Sequence, residues 1–398
     1  MKHVSRPVLR LYSGVISLFL LALLRAPVML AQTAPPPSDP HEMVTRQPRI
    51  LSKPAERSAA IDLLERARQN YYLRDIDTPC TLKASFTTNG TSQFEGEGTM
   101  DEYEASGQSQ WRWVAQLQDS LIIRIGTDGH VYGTNASEPV PLRVQMLRSA
   151  LHWPIVRRAG GSMIREAEVE HDGVPVTCLL LSGSVPQNPA PRSWVESEYC
   201  IDPATGRLEM WSDAPGIYVL YDYNGSQEFH GHTLPRQISI FEEGRLALHA
   251  QVESLEDARE LDPSLFKPTP EMTEAGGSFT LSGPERFPMR VDPSDGPTST
   301  YFQSVIVHAT LDAQDGSVLD AETLQNTDPN LSRAAMELVK STTFPPSGFQ
   351  QEAFINVQFH MPAMEEGGPP LFHSPVPWVI VEPRRKATTR KPIPHAGN

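Results

Sequence analysis

Cysteine is scarce: the 398-residue chain has three, Cys80, Cys178 and Cys200. Three exclude a disulfide-framework fold, and their spacing excludes a tetrahedral zinc ribbon. Catalytic signatures are missing too. There is no Gly-x-Ser-x-Gly, no Walker loop and no His-Glu-x-x-His. Gly96-Glu97-Gly98 lacks the third glycine and the following helix of a dinucleotide loop. His230-Gly231-His232 has no carboxylate at metal-ligand spacing, so it reads as a solvated loop. Basic charge is short: Lys+Arg 34 against Asp+Glu 48 gives −14, which repels phosphate and argues against nucleic acid. The expectation is a protein that is not an enzyme, with no catalytic residue, no cofactor and no metal.

Proline is plentiful, 37 residues, against a usual share of about 5%. It gathers in linkers and tails. Residues 1–31 carry four basic side chains and no acid, and Leu11 to Leu24 run 14 residues without a charge. That is the length of a signal-peptide core, whereas a span needs about 20 residues. An uncleaved anchor over 11–31 is the alternative. Without the leader the chain stands at −18. Residues 32–55 read as a Pro-rich tether.

The first folded domain is expected at 56–268. Ala60, Ile61, Leu64, Ala67 and Tyr71 recur at helical spacing. After Pro79 the period becomes two, and short strands follow at 81–88, 93–100, 109–117 and 120–126. The stretch 139–153 predicts a helix with Leu142, Met146, Leu147 and Ala150 on one side. Strands resume at 163–172, 174–182, 194–201, 216–223, 233–242 and 244–254, with turn signals such as Asp172-Gly173 and Glu243-Gly244. The class is α+β, an antiparallel sheet wrapped on helices. Cys178 and Cys200 fall on two strands whose midpoint lies in the loop 182–193. A hairpin would set them face to face, as a disulfide or as two buried thiols, with Cys80 left over and buried.

The leading helix, the meander and the segments IDPATGRLEMW, IYVLYDYN, TLPRQISIFEEGRLALHAQVESL and LDPSLF resemble the LolA/LolB class of periplasmic lipoprotein carriers. The resemblance implies an unclosed half-barrel whose apolar concave face takes lipid acyl chains. Trp111, Trp113, Leu121, Ile123 and Ile125 are the lining candidates, with plain core as the alternative.

Residues 269–299 read as a linker, and a second domain is expected at 300–362. Val305, Val307, Ala309 and Leu311 alternate, a turn follows at 312–316, and Val318 to Gln325 form a second strand. Asp328-Pro329 starts a helix with Leu331, Ala334, Ala335 and Leu338 inward. Ala353, Ile355, Val357, Phe359 and Met361 are the core face of a last strand. This β-β-α-β run is similar to the TonB C-terminal domain. The resemblance implies a periplasmic docking module in which an edge strand pairs with an extended segment of an outer-membrane or other envelope protein. The strand 353–361 is the candidate edge, with Phe354, Asn356, Gln358 and His360 outward. The family's Ser/His anchor pair and its Glu-Pro/Lys-Pro spacer are absent. Residues 363–398 read as a disordered basic tail. Together the two resemblances imply a periplasmic, non-enzymatic adaptor, or else a lipid or lipoprotein carrier.

Overall fold

The computed structural model describes residues 48–71, 73, 77–90, 94–105, 110–134, 140–155, 159–171, 174–183, 192–277, 284–292, 298–326, 328–348, 351–362 and 378–381. The expectations for the leader, for most of the tether and for most of the tail lie outside them. All described residues belong to one of the chain's two compact units, Pro40–Asn398.

In chain order the first part comprises β1 (Arg49–Ile50), α1 (Pro54–Tyr71), β2 (Cys80–Thr88), β3 (Gly96–Glu104), β4 (Trp111–Leu117), β5 (Ser120–Thr127), β6 (His130–Gly133), α2 (Leu142–His152), β7 (Met163–His171) and β8 (Val174–Ser182). It continues with β9 (Ser197–Ile201), β10 (Leu208–Ser212), β11 (Ile217–Asp222), β12 (Glu228–Phe229), β13 (His232–Thr233), β14 (Gln237–Glu242), β15 (Arg245–Asp257) and β16 (Thr273–Gly277). Apart from the β12-β13 hairpin, these strands form one antiparallel sheet of 14, ordered β1-β7-β8-β9-β10-β11-β14-β15-β2-β3-β4-β5-β6-β16. It is open, with β1 and β16 at its ends. Helices α1 and α2 pack on one face, over a core that runs from Leu63 and Ala67 through Leu147 and Leu151 to Trp113, Ile238 and Leu248.

The second sheet is built from β17 (Glu285–Asp292), β18 (Thr298–Leu311), β19 (Val318–Asn326), β20 (Gln351–Pro362) and β21 (Trp378–Val381), ordered β19-β18-β20-β17-β21. Helix α3 (Pro329–Ser341) covers one face. Its start is fixed by Asp328, whose side chain accepts from Asn330 N–H, and by Pro329 in the first turn. Val305, Val307, Ala309, Ile355 and Val357 pack beneath Ala335 and Val339, with Leu331, Leu338 and Phe359 at the rim. The β-β-α-β order and the inward placement of Ala353, Ile355, Val357 and Phe359 are therefore those the sequence predicts; the expectation for the Met361 side chain lies outside what the structure describes.

Four expectations are corrected. The linker 269–299 contains β16, which extends the large sheet beside β6, and β17, which pairs in parallel with β20. The tether ends early, since Arg49-Ile50 pairs with β7 and Leu51 is buried. The tail contains β21, four apolar residues that pair with β17. The two sheets are also not independent domains. Ile306, Leu324 and Phe354 of the small sheet belong to the core of the large one.

That last point overturns the docking edge. Strand β20 lies between β18 and β17 and is bonded on both sides. The alternation is right, but the second face is no free surface. Phe354 is 0% and Asn356 2% exposed, because that half of the face packs on the large sheet. Gln358 and His360 are half-buried farther along it. Period two tells which residues share a face and is silent on what covers that face.

Candidate functional site

The five lining candidates divide between two faces. Strand pairing sets Trp111 opposite Gly126 and Trp113 opposite Arg124, which puts both indoles on the helix-covered side. Leu121, Ile123 and Ile125 pair with Gln116, Val114 and Arg112 and lie on the other side. There Leu121 is exposed, and a 3-10 turn at Pro263–Phe266 lies against β5. The Arg112 guanidinium donates to Leu265 C=O at 3.4 Å in that turn. Trp111 and Trp113 thus belong to the covered face, and the other three do not.

Around the two tryptophans the inner face carries charge. Two cross-strand rows run over it: Cys80, Glu104, Trp111, Gly126 and Val131, then Leu82, Glu102, Trp113, Arg124 and Gly133. Helix α2 lays Arg148 and His152 onto them. Glu102 and His152 are each 1% exposed. Arg148 grips Glu102 through Nη2 and through Nε, the latter 3.2 and 3.3 Å from its two oxygens. His152 Nε2 lies 2.7 Å from Glu102 Oε2, and Nδ1 lies 3.6 Å from Glu104 Oε1. The Arg148 guanidinium sits over Trp111 at 4.4 Å, Trp153 at 5.1 Å and Trp113 at 5.7 Å. Flat aromatic faces suit a desolvated guanidinium. Gly126 makes room for this: a Cβ there would stand 2.1 Å from Trp111 Nε1.

Burial works against the charge on Glu102, but Arg148 and His152 outweigh it and hold the carboxyl well below the usual range. Cys80, at the end of the first row, is the opposite case. Burial first, and then Glu104 and Glu102, push its thiol up to about 12, so it is a poor nucleophile. Glu102, Glu104 and His152 could each offer a metal one ligand atom, all within 4.8 Å of one another. Arg148 already engages both oxygens of Glu102, so the group is in the first place an ion-pair network. His230 is placed elsewhere, on the exposed surface, 2.6 Å from Asp257.

The other end of α2 is fastened as well. Arg143 donates to Glu242 Oε2 through Nε at 3.0 Å and Nη2 at 2.8 Å. Pro141, at the N-cap, offers no capping side chain. Instead the Leu142 N–H donates to Asp320 Oδ2 of the small sheet at 3.3 Å. Gln145 reaches Thr310 Oγ1 at 3.3 Å. Helix α2 is thus bolted at one end to β3 and at the other to both β14 and the small sheet. Sequence patterning had marked only its apolar side. Nothing in that pattern singles out Arg143, Arg148 or His152, whose partners lie far away in the sequence.

Cys178 and Cys200 are adjacent across β8 and β9 and form a disulfide, one of the two expected arrangements. Cys80 is free and buried.

No family model and no curated relative matches the sequence. Solved structures similar to the chain include a LolA superfamily protein from Nitrosomonas europaea, at 10% identity over 52% of this chain and 97% of that one, with TM-score 0.35. A DUF1329 family protein from Desulfovibrio piger is 12% identical over 53% of this chain and 96% of its own, TM-score 0.30. The MucA/MucB complex of Pseudomonas aeruginosa is 14% identical over 70% of this chain and 97% of that one, TM-score 0.29. TM-scores this low set no fold equivalence, and the architecture stands on its own strand order and core.

Proposed function

We propose that the protein is a non-enzymatic binding protein of the bacterial periplasm, whose large sheet holds an apolar chain, a lipid or lipoprotein acyl group, on its helix-covered face. One observation carries the reading. Helix α2 lies buried over that face, with Val144, Met146, Leu147, Ala150 and Leu151 in the core and its charges paired at both ends. Were α2 to move aside, its buried apolar side and the sheet beneath it would form an apolar wall, and such a wall suits an acyl chain. The Cys178–Cys200 disulfide fits an oxidising compartment. Native mass spectrometry of protein purified from its own periplasm tests the reading. Co-purifying acyl ligand supports it, and a reproducibly empty protein defeats it.

A second reading is favoured by the β18-β19-α3-β20 order of the small sheet. On that reading the protein is an adaptor that pairs with an extended segment of an outer-membrane protein, in the manner the TonB-like resemblance implies. The edge of β20 cannot serve, since β17 occupies it. A pull-down of detergent-solubilised outer membrane by the full chain tests the adaptor: recovery of a transporter plug supports it, and its absence counts against it.

A further inference from the structure

The charged patch under the C-terminal half of α2 has two halves with different carriers. The sheet supplies Glu104 beside Trp111 and Glu102 beside Trp113, each acid directly across the β3-β4 ladder from an indole. The four share one face, and cross-strand neighbours on a face lie about 5 Å apart at Cβ. The helix supplies Arg148 and His152, with Trp153 at its C-cap. The square of carboxylates and indoles therefore belongs to strands. The cation that fills it belongs to the element that has to move for an acyl chain to enter.

Acids flanked by flat aromatic faces are the chemistry that recognises an organic cation. The fold itself uses it. Arg148 sits in the square, over Trp111 at 4.4 Å and Trp113 at 5.7 Å, with Nε 3.2 and 3.3 Å from the two oxygens of Glu102. A second observation points to a ligand. Trp113 is 2% exposed, and its indole N–H has no acceptor among the described residues. A buried indole N–H is ordinarily bonded, and an acceptor oxygen brought by a ligand would satisfy this one. The charge left behind sets the rest of the ligand. When α2 leaves with Arg148 and His152, Glu102 and Glu104 stay on the sheet. Arg124, across β4 from them, donates to the C=O of Ile123 at 3.1 Å and of Thr134 at 2.8 Å. Water solvates the two acids while the face is open. Hydrocarbon laid over them does not, and a carboxylate buried without a cation is strongly disfavoured. An acyl chain with a neutral or anionic head meets that penalty, and one with a cationic head does not.

We propose that Glu102, Glu104, Trp111 and Trp113 form a headgroup site for lipids whose head carries an ammonium close to an acceptor oxygen, as phosphocholine and phosphoethanolamine do, and that this ammonium takes the seat Arg148 holds in the closed protein. The proposal rests on the acyl-chain reading for the movement of α2 and adds to it the class of lipid.

The test titrates the full chain by calorimetry at neutral pH with three oleoyl lysophospholipids, each below its micelle concentration. They share one chain and one phosphate and differ in carrying choline, ethanolamine or glycerol. The two ammonium heads should bind about tenfold more tightly than the glycerol head. Glu102→Gln with Glu104→Gln in one chain should abolish that preference. Amide hydrogen exchange at Leu147–His152 should rise when the choline lipid is added, because that part of α2 gives up its seat. Equal affinity for the three heads in the unaltered chain overturns the proposal and leaves the acyl-chain reading standing, since the acids would then take up protons beneath any lipid. Binding of none of the three overturns both. A preference that survives in the double variant, or unchanged exchange along α2, places the head elsewhere and overturns the proposal. The headgroup series and the exchange measurement use the unaltered protein, so they decide the matter if the double variant fails to fold.

Discussion

A Cβ placed on Gly216 would stand 2.1 Å from the carbonyl oxygen of Leu324. Leu324 lies on β19 of the small sheet, and the glycine, at φ +91°, lies in the turn that leads into β11 of the large one. Leu324 is fully buried in the large core. Gly216→Ala therefore meets two penalties, a left-handed backbone and a collision with main chain that cannot rotate away. The expected loss is about 3 kcal/mol, seen as a lower denaturation midpoint. Gly225→Ala is the control. It has φ +77° and nothing within 4 Å, so only the backbone penalty of about 1 kcal/mol should appear. Equal losses would mean that the contact between the sheets is not tight.

Because the core is shared, damage to one sheet should reach the other. Val357 is fully buried beneath α3. Val357→Asp puts an unpaired carboxylate there, at several kcal/mol. Read from the sequence alone, with two separate domains, the large sheet would keep its own melting transition. Phe354, Ile306 and Leu324 make that outcome unexpected, since they join the large core. Calorimetry should show the whole transition moving down together. A preserved second transition would return the molecule to two domains. Gln358→Asp, on the half-buried opposite face, should shift the midpoint little.

The legible part of the fold was whatever its own period could carry. Phe86 and Met100 stand between polar neighbours, and the strands they mark are there. In the final strand Ile355 and Val357 were placed on the correct face. Strand β17 was missed although Phe287, Met289 and Val291 alternate, because Pro288 and the Gly/Ser/Pro-rich flanks read as linker. Strand neighbours are long-range information, and so no pattern within 353–361 announces β17 beside it. The charged site was hidden in another way. Glu102 and Glu104 share the parity of Met100, which faces the core, yet acids at such positions ordinarily turn a strand's inner face into its outer one. Only their partners on α2 make them tenable inside, and residues 46 apart give no local signal.

Arg148 is the test of that network. Arg148→Met would leave Glu102 buried beside His152 without its guanidinium, and breaking a buried pair on one side costs about 3–5 kcal/mol. Glu102→Gln in the same chain should recover part of the loss, because no uncompensated charge is then left inside. Urea titrations of the two single variants and the double give the coupling. The sign with pH follows from the depressed Glu102 carboxyl: its contribution is present above the unfolded value near 4.5 and fades as pH falls toward the folded one. A double variant as unstable as the sum of the singles would remove the pairing from the account of α2.

The seam between the sheets should respond to pH in the opposite sense. Glu322 of β19 is 8% exposed, and its carboxyl is pushed up from 4.5 to about 7. Burial is the main cause. Glu242 and Asp320 add to it, and Arg143 and His308 partly relieve it. Asp320 is raised as well, chiefly by burial. His308 of β18 stacks on Phe354 at 4.8 Å and lies 3.1 Å from Glu352 of β20. Burial opposes its charge, but the bond to Glu352 outweighs it and raises the imidazole above its ordinary value. For all three groups the folded state holds its proton more tightly than the unfolded chain does. Their contribution is complete below the unfolded values and is lost as pH rises through the folded ones. For Glu322 that window runs from about 4.5 to about 7. The unaltered protein should therefore lose about 2 kcal/mol between pH 5.5 and 8.5 from this residue alone. Glu322→Gln should be the more stable protein at pH 8.5 and should show most of that slope removed, with His308→Gln removing a further part. Urea midpoints at the two pH values read the effect directly. A flat profile in the unaltered chain, or a Glu322→Gln variant that keeps the full slope, would show that the seam is solvated and that the carboxyl pays no penalty for lying in it.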